Sequence, residues 1–378
     1  MKLRVLAVLA LASSLSGCFL WSSSKGPQPS PLPVFQPTGS LKALWHGGVG
    51  STEASMLRPA LAGGSVYAAG RSGNLARFDA AGRELWRVKS GPRLSGGVGS
   101  DSALVVVASS DGELWAHDAD KGTLRWKVPV EGEVLATPLV AGDLVVVRVG
   151  DNLLAAYGAA DGKRRWIYQR AQSPLALRNH AGLLQVGELL IAGFPGGKLV
   201  AVSLNGGVQR WEATITQPKG SNELERMSDV VGTPVLRGDM VCVAAFQGRV
   251  ACVDKDSGVV RWTRDFSAAV GVDADAKTLY VTEASDAVYS LDASSGSTNW
   301  KQDKLLYRKL GQPVIVGNSL VVADAEGYVH VLSRQDGHFI ARLRVDSSGV
   351  SAPLAALPNN AVAVQANDGS LYALAIPQ

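Results

Sequence analysis

Five histidines, three cysteines and a set of regularly placed aspartates are the side chains of this 378-residue chain best suited to chemistry. Their spacing decides what chemistry is open to them. His46, His117, His180, His330 and His338 are dispersed, with no pair at the short spacing that presents two ligands to one zinc ion. His117 and His330 fall at equivalent places in two alternating segments, which makes them variants of a repeat rather than ligands. There is no Gly-x-Ser-x-Gly elbow, no phosphate-cradling glycine loop and no Cys-x-x-Cys. Asp79, Asp118, Asp254 and Asp292 recur at matching strand ends, where a carboxylate caps a turn by accepting backbone N–H groups. The pattern therefore predicts no catalytic set, no metal site and no bound cofactor. Cys242 and Cys252 flank Phe246-Gln247-Gly248 on the two arms of one hairpin. Two readings stand for them: a cross-strand disulfide, or two small buried hydrophobes.

The elements that position these side chains form a repeat. Trp45, Trp86, Trp126, Trp166, Trp211, Trp262 and Trp300 recur at intervals of 38 to 51 residues. Six of them stand four residues after a glycine, as in Gly122-Thr-Leu-Arg-Trp126, Gly162-Lys-Arg-Arg-Trp166 and Gly258-Val-Val-Arg-Trp262. Gly337-His-Phe-Ile-Ala341 keeps the register but replaces the indole with a methyl group. A period of about 40 residues with strand-like content marks a four-stranded propeller blade, not a helical solenoid. Short β-branched runs such as Asp143-Leu-Val-Val-Val-Arg-Val149 are each followed by a turn and an alternating strand such as Gln247-Gly-Arg-Val-Ala-Cys-Val-Asp254. Such alternating strands begin near Gly73, Gly112, Asn152, Gly197, Gly248, Asp286, Gly327 and Gly369. The expected fold is all-β: an eight-bladed β-propeller of four-stranded antiparallel blades.

The last repeat ends at Gln378 without an outer strand, while Leu41-Lys-Ala-Leu-Trp45 is a surplus outer strand ahead of the first blade. The N-terminal strand is thus expected to complete the C-terminal blade, which removes two open sheet edges. The tryptophans read as structural wedges between blades, since a functional aromatic cluster would gather in one place.

Composition fits such a ring: 46% hydrophobic, 42 glycines for turns, 19% charged, and a net charge of +4. Lys and Arg are scattered, without the basic stripe and interleaved aromatics that would indicate nucleic acid. Residues 1–17 read as a signal peptide, with Lys2 and Arg4 before an apolar run from Val5 to Leu15 that is too short to span a bilayer. Leu15-Ser-Gly-Cys18 resembles the bacterial lipobox, in which the cysteine is acylated and becomes the first mature residue. Phe19 follows, rather than the aspartate that signals inner-membrane retention, so the address favours the outer membrane. Residues 18–40, rich in Ser and Pro, read as an extended tether, and residues 41–378 as the propeller.

Lipobox, tether and eight tryptophan-frame blades together resemble the BamB family, lipoproteins of the machinery that assembles β-barrels in the outer membrane. The resemblance runs from Cys18 to the C terminus. Its most specific segments are Asn222-Glu-Leu-Glu-Arg-Met-Ser-Asp-Val230, Asp303-Lys-Leu-Leu-Tyr-Arg308, Asp324-Ala-Glu-Gly-Tyr-Val-His330 and Val345-Asp-Ser-Ser-Gly349. It implies a non-enzymatic scaffold, lipid-anchored at the periplasmic face of the outer membrane, that binds a POTRA domain of BamA and assists unfolded barrel precursors. Two long connections, Gln172 to Asn179 and Asn222 to Val230, are where such binding would reside. Leu175, Leu177 and Arg178 match the family's contact stretch and Asp229 its acidic position, with Glu223 and Arg226 as secondary contacts and Glu225 as a solvated loop residue. Where members often carry a second acid, this chain has Val231.

The repeat frame is also similar to the tryptophan-docking motif of quinoprotein dehydrogenases, which bind pyrroloquinoline quinone and calcium. That alternative implies adjacent cysteines, calcium-binding side chains and a catalytic aspartate. The sequence has no adjacent cysteines and no evident calcium set. A sugar-binding propeller would need a surface aromatic cluster, for which only Trp115 offers itself beyond the repeat.

Overall fold

Glycine at the β-turn before each outer strand is the residue around which the fold is organised. The computed structural model describes residues 26–150, 152–173, 175–178 and 181–377. The signal peptide, Cys18, the start of the tether, Pro174, Asn179 and His180 lie outside the described residues. Among the described residues the strands form eight four-stranded antiparallel sheets. Blades 1 to 7 occupy residues 60–89, 99–129, 139–169, 183–214, 230–265, 268–302 and 314–344. Blade 8 takes residues 355–375 and is completed by Lys42–Gly48. That strand pairs antiparallel with Ser370–Ala375, placing Trp45 opposite Ala373 after a bulge.

The frame glycines (Gly82, Gly122, Gly162, Gly207, Gly258, Gly296 and Gly337) have φ between +64° and +80°, where a Cβ is disfavoured. Each also lies flat against the tryptophan of the preceding blade. A Cβ built on it would fall 2.4 to 2.8 Å from that indole, from Trp45 over Gly82 round to Trp300 over Gly337. Six indoles further donate Nε1–H to a carbonyl of the next blade, at 2.8 Å for Trp126 to Ala159 and 2.8 Å for Trp166 to Leu204. The core is accordingly distributed between blades. Leu114 and Trp126 of blade 2, for example, pack with Val145, Val147 and Tyr157 of blade 3. Strands flanked by two neighbours are largely apolar, and Leu144–Val149 is buried at every position, Arg148 included. Arg164–Gln169, on the circumference, buries only Trp166 completely.

Ala341 departs from the frame for a topological reason. Because blade 8 borrows its outer strand from the N terminus, it has no turn glycine to receive an indole from blade 7. Thr38 and Gly39 instead donate their N–H groups to the carbonyl of Ile340 at 3.1 and 3.3 Å, and a Cβ on Gly39 would collide with Pro377.

The described part of the tether is extended but not free. Ser30 N donates to the carbonyl of Leu306 at 2.9 Å, Arg342 donates to the carbonyl of Pro33 at 3.0 Å, and Phe35 stacks on Phe339 at 5.3 Å. Proline-fixed, extended backbone keeps its carbonyls unpaired, and Arg342 of blade 7 uses one of them. Within the stretch read as a tether, residues 30–39 are therefore held against the ring. Cys242 and Cys252 are register partners with Cα atoms 4.1 Å apart, fully buried, and their sulfurs are bonded.

The strand-end aspartates cap turns. Asp118 accepts N–H bonds from Asp120 and Lys121 at 3.0 and 2.9 Å and pairs with Arg125 at 2.7 Å. The Arg125 pairing first, then these N–H bonds, hold its carboxyl at about 2. Asp292 is likewise held at about 2 by Ser294 and Ser295.

Three outcomes test this account. Trp126→Ala should cost about 3–5 kcal/mol in urea unfolding, the usual range for emptying a large core site. Gly142 has φ of +64° but open space, whereas Gly162 at +66° lies under Trp126. Gly142→Ala should therefore cost about 1–2 kcal/mol for the backbone alone, and Gly162→Ala about 1–3 kcal/mol more for overpacking. Equal costs would mean that the indole contact is slack. For Asp118 the folded pKa lies below the unfolded value of about 4, so its contribution is complete above that pH and fades as pH falls toward about 2. The destabilisation of Asp118→Asn, read from unfolding midpoints, should accordingly shrink between pH 6 and pH 2.

Candidate docking site

Connections between blades, each leading from an outer strand to the next inner strand, converge on one mouth of the central channel. Two of them carry the candidate residues. Loop 172–178 leaves the outer strand Arg164–Gln169, and loop 216–229 follows Gln209–Thr214 and enters Val230–Arg237. Within the second loop, Glu225 accepts from Ser221 N and Asn222 Nδ2 at 2.7 and 3.0 Å while Asn222 Oδ1 accepts from Glu225 N at 2.9 Å. This reciprocal cap holds a single turn, and Arg226 Nε ties it to the carbonyl of Gly220 at 3.1 Å. Glu225 therefore has a local structural role beyond that of a solvated residue. Glu223 and Arg226 are exposed, as is Leu224 at 65%.

Asp229 is not at the surface. Its side chain is fully buried, and its carboxylate accepts the N–H of Leu177 at 2.5 Å and of Gly196 at 3.3 Å. The acid at the foot of one loop thus fixes the backbone of the other. Leu177 is half-buried against the cluster that contains Val231 and Phe246. Leu175 is 38% exposed, and Ser173 Oγ donates to its carbonyl at 2.8 Å. Arg178 makes a forked contact with Glu133, Nη2 to Oε1 at 2.5 Å and Nε to Oε2 at 3.2 Å, with 70% of its side chain still exposed. Sequence reasoning missed Glu133, which lies two residues after Glu131 in the connection between blades 2 and 3. It also treated Asp229 as a contact, where the structure makes it a support. Val231, 3% exposed, lies in the core beneath.

Two of the distinctive segments, ending at Arg308 and His330, meet far from these loops. Arg308 donates to Asp324 at 2.7 Å, to Glu326 at 2.5 Å and to the carbonyl of Ser30 at 2.9 Å. His330 Nε2 lies 3.1 Å from Asp324. Burial pushes the Asp324 carboxyl up, but His330, the N–H of Tyr328 and Arg308 outweigh it and leave it below the ordinary value. Burial lowers the His330 pKa, against the hydrogen bond and charge of Asp324, which raise it. The cluster clamps the strap to blade 7. His117, buried between Ser90 and the carbonyl of Gly122, is also structural. Trp115 is covered by Lys127 and by Gly91 and belongs to no surface cluster.

Blade count and indole docking define an eight-bladed propeller of the quinoprotein-like class, with its candidate residues on loops. Quinohemoprotein alcohol dehydrogenase from Comamonas testosteroni shares that fold, with a TM-score of 0.69 and 12% identity over 88% of this chain and 76% of that one. A family model described as "Outer membrane protein assembly factor BamB" matches residues 71–302. A Bordetella pertussis protein of the same description is 38% identical over 371 residues, 97% of this chain and 96% of its own length. The crystal structure of BamB from Moraxella catarrhalis superposes with a TM-score of 0.82 and 24% identity, over 89% of this chain and all of that one. The chain belongs to the BamB family.

If Asp229 is the support for loop 172–178, then Asp229→Ala should speed hydrogen exchange at Leu177 and Gly196 by tenfold or more. Arg178→Ala should leave those amides unchanged. Unchanged exchange in Asp229→Ala would remove the carboxylate from this role.

Proposed function

We propose that the protein is a non-enzymatic scaffold of the outer-membrane β-barrel assembly machinery, held by acylated Cys18 at the periplasmic face of the outer membrane. It docks a POTRA domain of BamA through loops 172–178 and 216–229 and so assists the folding and insertion of barrel precursors. The names of its relatives support the assembly role. The docking reading is carried by one observation: a buried carboxylate, Asp229, holds a loop that presents Leu175 and Arg178 outward.

That geometry suits a partner. Ordering the loop beforehand lowers the entropy lost on association. Leu175 supplies apolar area, and Arg178 offers a planar fork to a carboxylate or to backbone carbonyls. The pair with Glu133 is exposed, and exposed pairs contribute about 0–1 kcal/mol, so Arg178 can exchange that partner at small cost. Glu223 and Arg226 stand on the adjoining loop as secondary contacts.

Arg178→Ala should lower co-purification of BamA at least fivefold from solubilised membranes while leaving the urea midpoint within experimental error. Leu175→Asp should do the same, and Glu133→Gln should leave recovery intact or raise it. Undiminished recovery of BamA with both Arg178→Ala and Leu175→Asp would place the interface elsewhere on the ring.

A further inference from the structure

The central channel widens beneath the docking loops into a cavity of about 600 Å³, lined by residues of blades 3 to 6 and by connections that lead into blades 1, 3, 4, 7 and 8. Its wall is largely apolar, with Met56, Leu139, Val231, Phe246, Val270 and Pro353 among its surfaces. The polar side chains in it are neutral (Thr137, Thr233, Gln312 and Ser351), apart from Arg178 at the mouth and Arg58. No carboxylate lines it among the described residues. Arg178 already has Glu133. The Arg58 guanidinium, by contrast, has no hydrogen-bond or ion-pair partner among the described residues.

A cation set in a largely apolar wall, only partly open to solvent and with no hydrogen-bonded counterion, is costly, because its desolvation is incompletely repaid. Burial lowers the Arg58 pKa, and Asp273, the acid that opposes this, acts only through space. Asp273 is itself committed to the N–H groups of Ala274 and Ile315, each at 2.8 Å. The Asp273 carboxyl, raised by burial, is lowered in turn through space by the charge of Arg58. The backbone of that residue, not its side chain, joins blades 1 and 2 by accepting from Val98 N at 3.0 Å. The size of the cavity falls within the range of about 300–1,000 Å³ typical of small-ligand sites, which combine apolar walls with a few placed polar groups.

We propose that the channel is a binding site for an apolar carboxylate, whose anionic end pairs with Arg58 and whose hydrocarbon part lies against Val231, Phe246 and Val270. A guanidinium offers two parallel N–H donors to such a group, and Asp273, which acts on Arg58 only through space, leaves those donors open. The same chemistry is found at the free C terminus of a chain ending in an aliphatic residue and in a small aliphatic acid.

The test is titration calorimetry on the full lipoprotein in detergent, without BamA, so that it is independent of the partner docking proposed above. Three probes are used: acetyl-Ala-Ala-Leu with a free carboxylate, the same peptide amidated, and 4-methylpentanoate. At least one acid should bind at one site per chain, with the amide at least tenfold weaker than the free peptide if the peptide is bound. The tighter acid identifies the source, a chain end or a small molecule. Arg58→Gln should weaken acid binding at least tenfold and leave any amide binding unchanged. Should Arg58→Gln fail to fold, Thr137→Glu decides. Thr137 flanks Gly97 opposite Arg58, a Cβ on Gly97 lying 2.3 Å from Thr137 Oγ1 and 3.2 Å from Arg58 Cβ. A carboxylate there would occupy Arg58 and abolish acid binding. No binding of either acid, equal affinity for acid and amide, or parental affinity in both variants would overturn the proposal.

Discussion

Everything in this ring depends on an indole lying flat on a glycine that has no side chain to keep it away. Two properties of glycine are used at once. Positive φ lets the chain reverse in a tight turn, and the missing Cβ lets the neighbouring blade approach to contact. The indole then contributes apolar area and one N–H bond across the joint. Either residue alone would be unremarkable in a β protein, but together they set the distance and angle between successive blades. Repeated from Trp45 to Trp300, the contact fixes a closed circle in which each sheet edge is covered or short. Where the circle is stitched together, between blades 7 and 8, the receiving turn does not exist and the indole is absent too. Ala341 is the consequence of closure by the N-terminal strand.

The joint at that position is made by other means. Residues before Lys42 run as an extended strap over blade 7, where Arg308 and Arg342 take up their carbonyls and Phe35 replaces an indole as the covering ring. The buried group of Arg308, Asp324 and His330 is therefore part of ring closure. A buried ion pair contributes little net stability once desolvation is counted, but it demands one geometry. Here that geometry determines where the chain leaves the ring toward its N terminus.

How much of this was legible in the sequence follows from what each residue type must do. Indole and glycine at fixed offset can hardly serve any other purpose, so blade number, antiparallel pairing and N-terminal completion could be read directly. The inner strands could not. Gly99–Ser100 and Ala60–Ala62 are two or three residues long and too short to show alternation. Strap and tether share one composition, because proline-rich chain is extended whether or not something grips it. At the candidate site, the loops were legible as interruptions of the repeat. The position of Asp229 was not: a carboxylate that accepts backbone N–H groups from a loop 52 residues earlier looks, in sequence, like one that faces solvent.

Loop 172–178 is a useful surface only because of what lies below it. Val230–Arg237 slips register between Val231 and Val235, and Gly232 there meets Gly271 of blade 6 so closely that a Cβ would fall 2.1 Å from its Cα. On the other side Gly182 N donates to the carbonyl of Gly232 at 3.2 Å. Inner strands of blades 4, 5 and 6 are thus joined backbone to backbone, with little room for side chains to adjust. Asp229 begins this rigid stretch. A buried acid rooted in such a platform transmits its fixed position to Leu177, and through one peptide to Arg178. Flexible chain is in this way given the positional precision of a strand while its side chains remain free to meet a partner.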